Sequence, residues 1–168
     1  PSVGDELKKN AVKAVVIASI GMLIYIIFRF KSWKYGFSAV VGVAHDVLMV
    51  IAFYGIFGFT VNNPFIAAIL TLVGYSINDT IVIFDRIREN KQLYKKDGSE
   101  VNIDRSINST LNRTIMTSLT TLVVMIPLCI MVSASIREFI IPLMAGVIVG
   151  CYSSISVCSP LYYDLCRS

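Results

Sequence analysis

Five long apolar segments separated by polar stretches dominate the chain. They cover approximately residues 11–29, 37–58, 64–84, 114–133 and 139–163. A helix crosses the hydrocarbon core of a bilayer with about 20 mostly apolar residues, and each of these segments is long enough to do so. The hydrophobic pattern therefore predicts an all-α protein, a polytopic membrane helix bundle with five transmembrane helices.

The polar stretch between the third and fourth apolar segments, about 85–113, is long. Its first part, DRIRENKQLYKK, predicts a helix that continues past the membrane as an amphipathic connection. We expect the residues at 97–99 to break this helix and Asp104 to cap the next one. The Asn-Asn-Pro sequence at 62–64 predicts a turn that begins the third transmembrane helix, because proline is well tolerated in a first helical turn.

Composition supports the membrane assignment. The 168 residues are 55% hydrophobic and 15% charged, with a mean hydropathy of +0.71, whereas a soluble domain has about 25% charged residues. The net charge of +4 does not indicate nucleic-acid binding, because the basic residues cluster between the apolar segments. The four cysteines lack CxxC or Cys/His spacing, so we expect small buried side chains rather than metal ligands or disulfides.

The lysine and arginine residues are distributed unevenly over the two ends of the predicted bundle. Of the 15 basic residues, eleven fall on the side of the 85–113 connection and four on the other. The positive-inside rule therefore predicts that this connection and the C-terminus are cytoplasmic and that the N-terminus is external. Because an odd number of spans is unusual for a transporter, we expect a further span and an external segment before Pro1.

Three of the apolar segments contain ionisable or strongly polar residues. His45 and Asp46 lie near the middle of the second segment, and Asp79 lies in the connection-side half of the third. Arg113 enters the fourth segment from the same side, so its long side chain can reach the depth of Asp79. Ionisable residues inside spans usually face the bundle interior or a water-filled cavity. Asp85, six residues after Asp79, is expected instead to be a solvated partner of nearby arginines.

The pairing of Asp79 with Arg113 has a chemical consequence. Burial favours the neutral form of a carboxyl group, whereas an arginine close by favours the ionised form. A carboxylate whose arginine moves closer and away therefore binds and releases a proton. We predict proton coupling by Asp79, Arg113 and Asp46; the alternative is a static ion pair that joins two helices. The polar residues expected to support this site are His45, Asn78, Thr80, Tyr75 and Thr117.

Small residues mark the places where helices can approach each other closely. Gly146, Gly150 and Ser153 form a stripe in the fifth segment, and such stripes permit close packing of transmembrane helices. We expect Gly74 to serve the same purpose beside Asp79. The stripe is interpreted as a structural feature, with no direct chemistry of its own.

Five stretches of the chain together resemble motifs of the SecD/SecF protein-export family, in its SecF form. They are VGDELKKNAVKAV at 3–15, AHDV at 44–47, GYSINDTIVIFDRIREN at 74–90, SINSTLNRTIMTSLTTL at 106–122 and YSSISVCSPL at 152–161. The Asn-Asp-Thr form of the third stretch, followed by Asp-Arg, favours SecF over SecD. The resemblance covers essentially all 168 residues in order. One departure is VSASIREF, which lacks the glycine pair expected in the fourth connection.

The resemblance implies a SecDF-type membrane domain of the RND transporter superfamily over 1–168, without the family's first helix and external domain. It implies a multi-pass subunit of the bacterial inner membrane that uses the proton gradient, and no other cofactor, to drive late steps of preprotein export. The implied partners are SecD, the SecYEG channel, the preprotein, membrane lipids and YajC, with a functional link to the ATPase SecA. The family's essential aspartate and arginine match Asp79 and Arg113, and another motif aspartate matches Asp46.

Three other functions would use similar features. A proton-coupled RND-like exporter of lipids or small molecules would share the fold and the buried charges, and its partners would distinguish it. An intramembrane aspartyl protease needs a carboxylate dyad, but the GxGD context is missing around Asp46 and Asp79, so we do not expect an enzyme. A purely structural subunit would need Asp79 and Arg113 for assembly alone.

Overall fold

The structure, a computed structural model, describes residues 2–59, 61–96 and 98–167. Every regular element in this part of the chain is helical. The elements are α1 (Ser2–Phe30), α2 (Trp33–Phe57), α3 (Asn63–Leu93), α4 (Ser99–Met131), α5 (Ala134–Ser153), a π-helical turn (Ser154–Cys158) and α6 (Ser159–Arg167). The last three run on without a break from Ala134 to Arg167, so the chain forms five long helical segments.

All five segments are long and apolar enough to cross a membrane, which confirms the predicted all-α bundle. Each helix begins before or ends after its apolar stretch, because polar residues extend the hydrogen-bonded backbone beyond it. The clearest case is α3, which continues to Leu93 as predicted. The turn at 62–64 is also confirmed: the Asn62 side chain accepts a hydrogen bond from the Phe65 N–H at 3.2 Å and caps α3.

The start of α4 differs from the prediction. Asp104 was expected to cap this helix, but α4 begins five residues earlier at Ser99 and Asp104 lies inside it. The first two turns of α4 pack back on the end of α3, where the Arg105 guanidinium lies 4.1 Å from the centre of the Tyr94 ring. This contact favours helix in a stretch whose residues are mostly polar. Asp97, part of the predicted break, lies outside the described residues.

Helix α3 is central, packing against α1, α2, α4 and α5. One apolar cluster surrounds Phe84 and Tyr162 at the end of the bundle that carries the α1–α2 connection, the α3–α4 connection and the end of α6. We call this the connection end. A second cluster, around Tyr54 and Leu72, fills the opposite half. Between them the inner face of α3 is polar, and the candidate site lies there.

Large apolar side chains cover the outer faces of the helices. Phe28 is 86% exposed and Ile130 is 74% exposed, for example. Contiguous apolar surface of this kind is unfavourable in water and suits contact with lipid chains.

Glycines lie where helices of the described part of the chain pack against each other. A Cβ on Gly146 would lie 2.7 Å from Leu72 Cδ1, and one on Gly150 would lie 3.5 Å from Ser76 Cβ. The predicted stripe on α5 is therefore confirmed as a packing surface. On α2, a Cβ on Gly42 would overlap Cys158 Sγ. The prediction for Gly74 is wrong, because it is exposed and no described atom lies within 4 Å of where its Cβ would stand.

Candidate functional site

Asp46 lies on the inner face of α2 and is completely buried. Its Oδ2 accepts a hydrogen bond from Ser76 Oγ on α3 at 2.5 Å, and its Oδ1 lies 3.1 Å from His45 Nδ1. A Cβ on Gly150 of α5 would stand 3.6 Å from Oδ2. The carboxyl group thus occupies a space between three helices that a larger residue at position 150 would reduce.

Thr80 lies one turn after Ser76 on α3 and extends the buried polar contacts of Asp46. We call the set of linked buried side chains the polar layer; it comprises Asp46, Ser76, Thr80, Ser154 and Cys158. Its Oγ1 donates to the Ser76 carbonyl at 3.1 Å and lies 3.2 Å from Ser154 Oγ. Cys158 Sγ is 3.8 Å from the same oxygen. Both of these partners belong to the π-helical turn, an irregularity that often marks functional positions in helices. Hydrogen bonds therefore link α2, α3 and the π-helical turn through a layer of buried side chains.

Asp79 is buried, with 3% of its surface exposed, on the side of α3 that faces α4. The direction follows from Tyr75, one turn earlier on the same face, whose hydroxyl lies 3.2 Å from Thr121 Oγ1 on α4. Among the described residues, Asp79 Oδ2 has no hydrogen-bond partner, and the hydroxyls of Thr114 and Ser118 on α4 likewise have none. Buried polar atoms normally form hydrogen bonds, so the interface between α3 and α4 is an exception.

Arg113 is exposed and forms no ion pair with Asp79 or with any other carboxylate that the structure describes. It lines a cavity of about 400 Å³ with Asp85 and Arg86. The buried face of α4 runs through Thr114 and Ser118, and Arg113 is one residue off that face. The predicted ion pair between Asp79 and Arg113 is therefore not formed in this structure, and the arginine lies beside a cavity at the connection end.

The structure separates the other predicted site residues into two groups. His45, Tyr75 and Thr80 take part in the contacts described above. Asn78 is exposed, and Thr117 donates to the Arg113 carbonyl of its own helix at 2.8 Å, so neither joins the polar layer. Asp85 forms the expected exposed ion pair, with Arg29 at 3.3 Å.

Sequence reasoning missed three residues of the polar layer: Ser76, Ser154 and Cys158. The signal for Ser76 was its place one turn before Thr80 in GYSINDT, since residues four apart share a helix face. The serines of YSSISVC were a weaker signal for Ser154, because the π-helical turn changes which of these serines faces the inside of the bundle. Over residues 2–59, 61–96 and 98–167, no cluster of His, Cys, Asp and Glu could hold a metal, and all four cysteines are free.

Ser76→Ala is expected to destabilise the fold by about 1–3 kcal/mol, because it removes a donor from a fully buried carboxylate oxygen. The matched control is Thr71→Ala on the same helix, whose exposed hydroxyl bonds only to the Ala67 carbonyl. Thermal unfolding of both variants in detergent measures the difference. Equal melting temperatures for Ser76→Ala and the unmutated protein would contradict the role given to Ser76.

Comparison with known proteins agrees with this architecture. The family model for the protein export membrane protein SecD/SecF, C-terminal part, matches residues 1–168. A SecF protein translocase subunit of Sebaldella termitidis is 52% identical over 167 residues, which are 98% of this chain and 54% of that protein. A SecDF protein translocase subunit of Thermus thermophilus is 46% identical over 96% of this chain and 22% of its own.

A solved structure shows the same fold. The crystal structure of SecDF, a translocon-associated membrane protein from Thermus thermophilus, superposes with a TM-score of 0.93. It is 44% identical and covers 100% of this chain, which corresponds to 23% of the crystallised chain. The chain thus spans about half the length of the SecF relative and about a fifth of the SecDF relative.

Proposed function

The chain belongs to the SecD/SecF family of protein export membrane proteins, and on that premise we propose that it powers late steps of preprotein export with the proton-motive force. It is a multi-pass membrane protein with five helical segments long enough to span a bilayer. Its relatives are named as translocase subunits, which supports a role in transport. We propose no enzymatic activity and no cofactor besides the proton gradient.

The observation that carries the proposal is the state of Asp79. One of its carboxylate oxygens is buried without a partner among the described residues, and Arg113, the cation predicted to pair with it, lines a cavity instead. Leaving an ionised carboxylate in such a place costs several kcal/mol, and taking up a proton removes that cost. Moving the arginine inward reverses the preference, because an opposite charge stabilises the ionised form. Without an ion pair to Arg113, Asp79 is therefore in a state that favours proton binding.

Asp46 has a different environment and is assigned a different role. Its two oxygens are already engaged by Ser76 and His45. Ser76 lies three residues before Asp79 on α3, so a displacement of α3 that follows proton binding also acts on the Asp46 contact. We assign Asp46 to coupling between α2 and α3, while Asp79 binds and releases the proton and Arg113, which stays charged, stabilises the ionised carboxylate when it moves inward.

The matching family is named SecD/SecF and one relative is named SecDF, so we propose SecD as the first partner. We propose the SecYEG channel, YajC and the preprotein as further partners. The proposed location is the bacterial inner membrane, with the connection end in the cytoplasm. The excess of lysine and arginine at that end supports this orientation.

The experiment is a translocation assay in inner-membrane vesicles that lack the native subunit and receive the full-length protein with its partner. Late translocation, measured after ATP-driven initiation, is expected to accelerate with an imposed proton gradient and to lose that acceleration when a protonophore is added. The control is a vesicle without the subunit. Acceleration that persists with the protonophore would contradict proton coupling, and a gradient that accelerates export equally without the subunit would assign the coupling elsewhere.

A further inference from the structure

Five helices meet around one cavity at the connection end. Its walls come from the end of α1, the start of α2, the end of α3, the first residue of α4 and the inner face of α6, and its volume is about 430 Å³. Volumes of about 300–1,000 Å³ are typical of sites for small molecules. The residues that matter for the argument are Lys34, Tyr35, Arg88, Lys91, Ser99 and Tyr162.

The cavity is positively charged. Lys34, Arg88 and Lys91 line it, and no acidic residue does so in the part of the chain that the structure describes. Lys34 Nζ donates to the Leu165 carbonyl at 2.5 Å, and Arg88 donates to the Arg29 carbonyl at 3.2 Å. These are bonds to neutral backbone oxygens, so they hold the side chains in place without neutralising their charge.

Two carboxylates close to Arg88, Asp85 and Glu89, are engaged by other arginines. Asp85 and Glu89 lie in a neighbouring cavity that Arg88 also borders. Asp85 pairs with Arg29 at 3.3 Å, and Glu89 pairs with Arg86 at 2.6 Å. Arg88 forms no ion pair with either of them among the described residues. Among the described residues, none of Lys34, Arg88 and Lys91 forms an ion pair, so an anionic ligand would supply the missing counter-charge.

The backbone at the start of α4 adds to the positive electrostatic potential of the cavity. Helix α4 begins at Ser99, which lies on the wall of the cavity. The free N–H groups of a first helical turn and the positive end of the helix dipole favour a phosphate. Together with an arginine and two lysines, they form a set of donors suited to the oxygens of a phosphate group.

Aromatic rings form another part of the wall, beside the polar side chains of Ser32 and Gln92. The rings of Tyr35 and Tyr162 stack with their centres 4.2 Å apart, and both residues are buried. Trp33, next to Lys34 in the chain, is 57% exposed, as is typical of aromatic residues at a membrane interface. Phe37, one turn further along α2, is also exposed, and its ring centre lies 6.3 Å from that of Trp33, so the two form an apolar surface on α2. A ligand that combines an anionic head with apolar chains matches both surfaces.

We propose that this cavity binds the phosphate of one anionic phospholipid headgroup. Arg88 and Lys91 contact the phosphate oxygens, Lys34 adds charge from α2, and the acyl chains follow the exposed apolar faces of α1 and α2. Basic cavities between transmembrane helices on the cytoplasmic side are the places where such headgroups bind. The bound lipid joins the α1–α2 connection to the end of α3. This inference does not depend on proton coupling.

The test measures lipid retained by the full-length protein in complex with its partner subunit, using native mass spectrometry in mild detergent. Phosphatidylglycerol, phosphatidylcholine and glycerol 3-phosphate are supplied separately. The double variant Arg88→Gln/Lys91→Gln is compared with Lys95→Gln/Lys96→Gln, which removes two exposed charges from the same connection outside the cavity. Lys91→Gln alone covers the case in which loss of the Arg88–Arg29 contact disturbs folding, and melting temperatures are recorded for each variant.

The unmutated protein is expected to retain one phosphatidylglycerol at this site and to retain neither phosphatidylcholine nor glycerol 3-phosphate. Arg88→Gln/Lys91→Gln should lower the retained fraction by about tenfold, given the contribution of each basic residue near a membrane surface. The Lys95/Lys96 control should retain the lipid fully. Equal loss in the control, full retention by a folded Lys91→Gln variant, or displacement of the lipid by glycerol 3-phosphate would each overturn the proposal.

Discussion

Asp79→Asn is expected to abolish the proton-dependent part of preprotein translocation while the complex still assembles. Asparagine has nearly the same size and keeps the hydrogen-bonding capacity of a neutral carboxyl group, but it cannot bind and release a proton. The translocation rate of the variant should fall to that of the unmutated protein treated with a protonophore. The measurement is the vesicle assay described above, with the amount of subunit in the membrane determined in parallel.

Asp85→Asn is the matched control for Asp79→Asn. It makes the same chemical change on the same helix, but Asp85 is exposed and its ion pair with Arg29 is of a kind worth about 0.2–1 kcal/mol. Translocation should remain proton-dependent in this variant. Proton-dependent translocation by Asp79→Asn at normal expression would disprove the assignment. Loss of assembly in both Asp79→Asn and Arg113→Leu would instead support a static ion pair.

Gly42→Ala is expected to destabilise the bundle by about 1–3 kcal/mol, the usual cost of forcing an extra methyl group into a packed interior. The new Cβ would overlap Cys158 Sγ, and Cys158 is buried in the π-helical turn, so it has little freedom to move away. Cys158→Ala in the same chain should restore much of the lost stability, because the methyl group at position 42 then occupies the space of the sulfur. Thermal unfolding in detergent measures both variants.

Gly55→Ala provides the control for this change on the same helix. Nothing lies within 4 Å of a Cβ at Gly55, so the substitution should be neutral or slightly stabilising, since alanine favours helix over glycine. The coupling between the Gly42 and Cys158 substitutions is read from a double-mutant cycle. Strictly additive effects, or a Gly42→Ala variant as stable as Gly55→Ala, would show that α2 and the π-helical turn are not packed against each other as described.

Much of the fold follows from local properties of the sequence. The five spans could be predicted because a helix that crosses lipid must be long and apolar, whatever its neighbours are. The cap at Asn62 is local in the same sense, since a side chain bonds to a backbone group three residues away. The burial of Asp46 and Asp79 could also be predicted, because ionisable residues within apolar segments usually face the bundle interior.

The contacts of these buried residues depended on how each helix is rotated about its axis. Neighbouring residues on a helix point about 100° apart, so a difference of one position places Thr114 inside and Arg113 outside. That rotation is set by side-chain packing with the adjacent helices, and the order of residues in one segment does not reveal it. For the same reason, the sequence showed that Asp46 was buried but not that Ser76 would be its donor.

The glycines likewise show that the sequence gives residue type but not the direction in which a residue faces. Glycines at 74, 146 and 150 are alike in the sequence, yet Gly146 and Gly150 face other helices and Gly74 faces outward. The sequence by itself determined the membrane spans, the buried carboxylates and the family motifs, because these rest on composition and on residues near each other in the chain. Only the tertiary structure decided that Asp79 and Arg113 stand apart and that three cations share one cavity. Both arrangements arise where distant segments pack, through contacts that exist only in the folded protein.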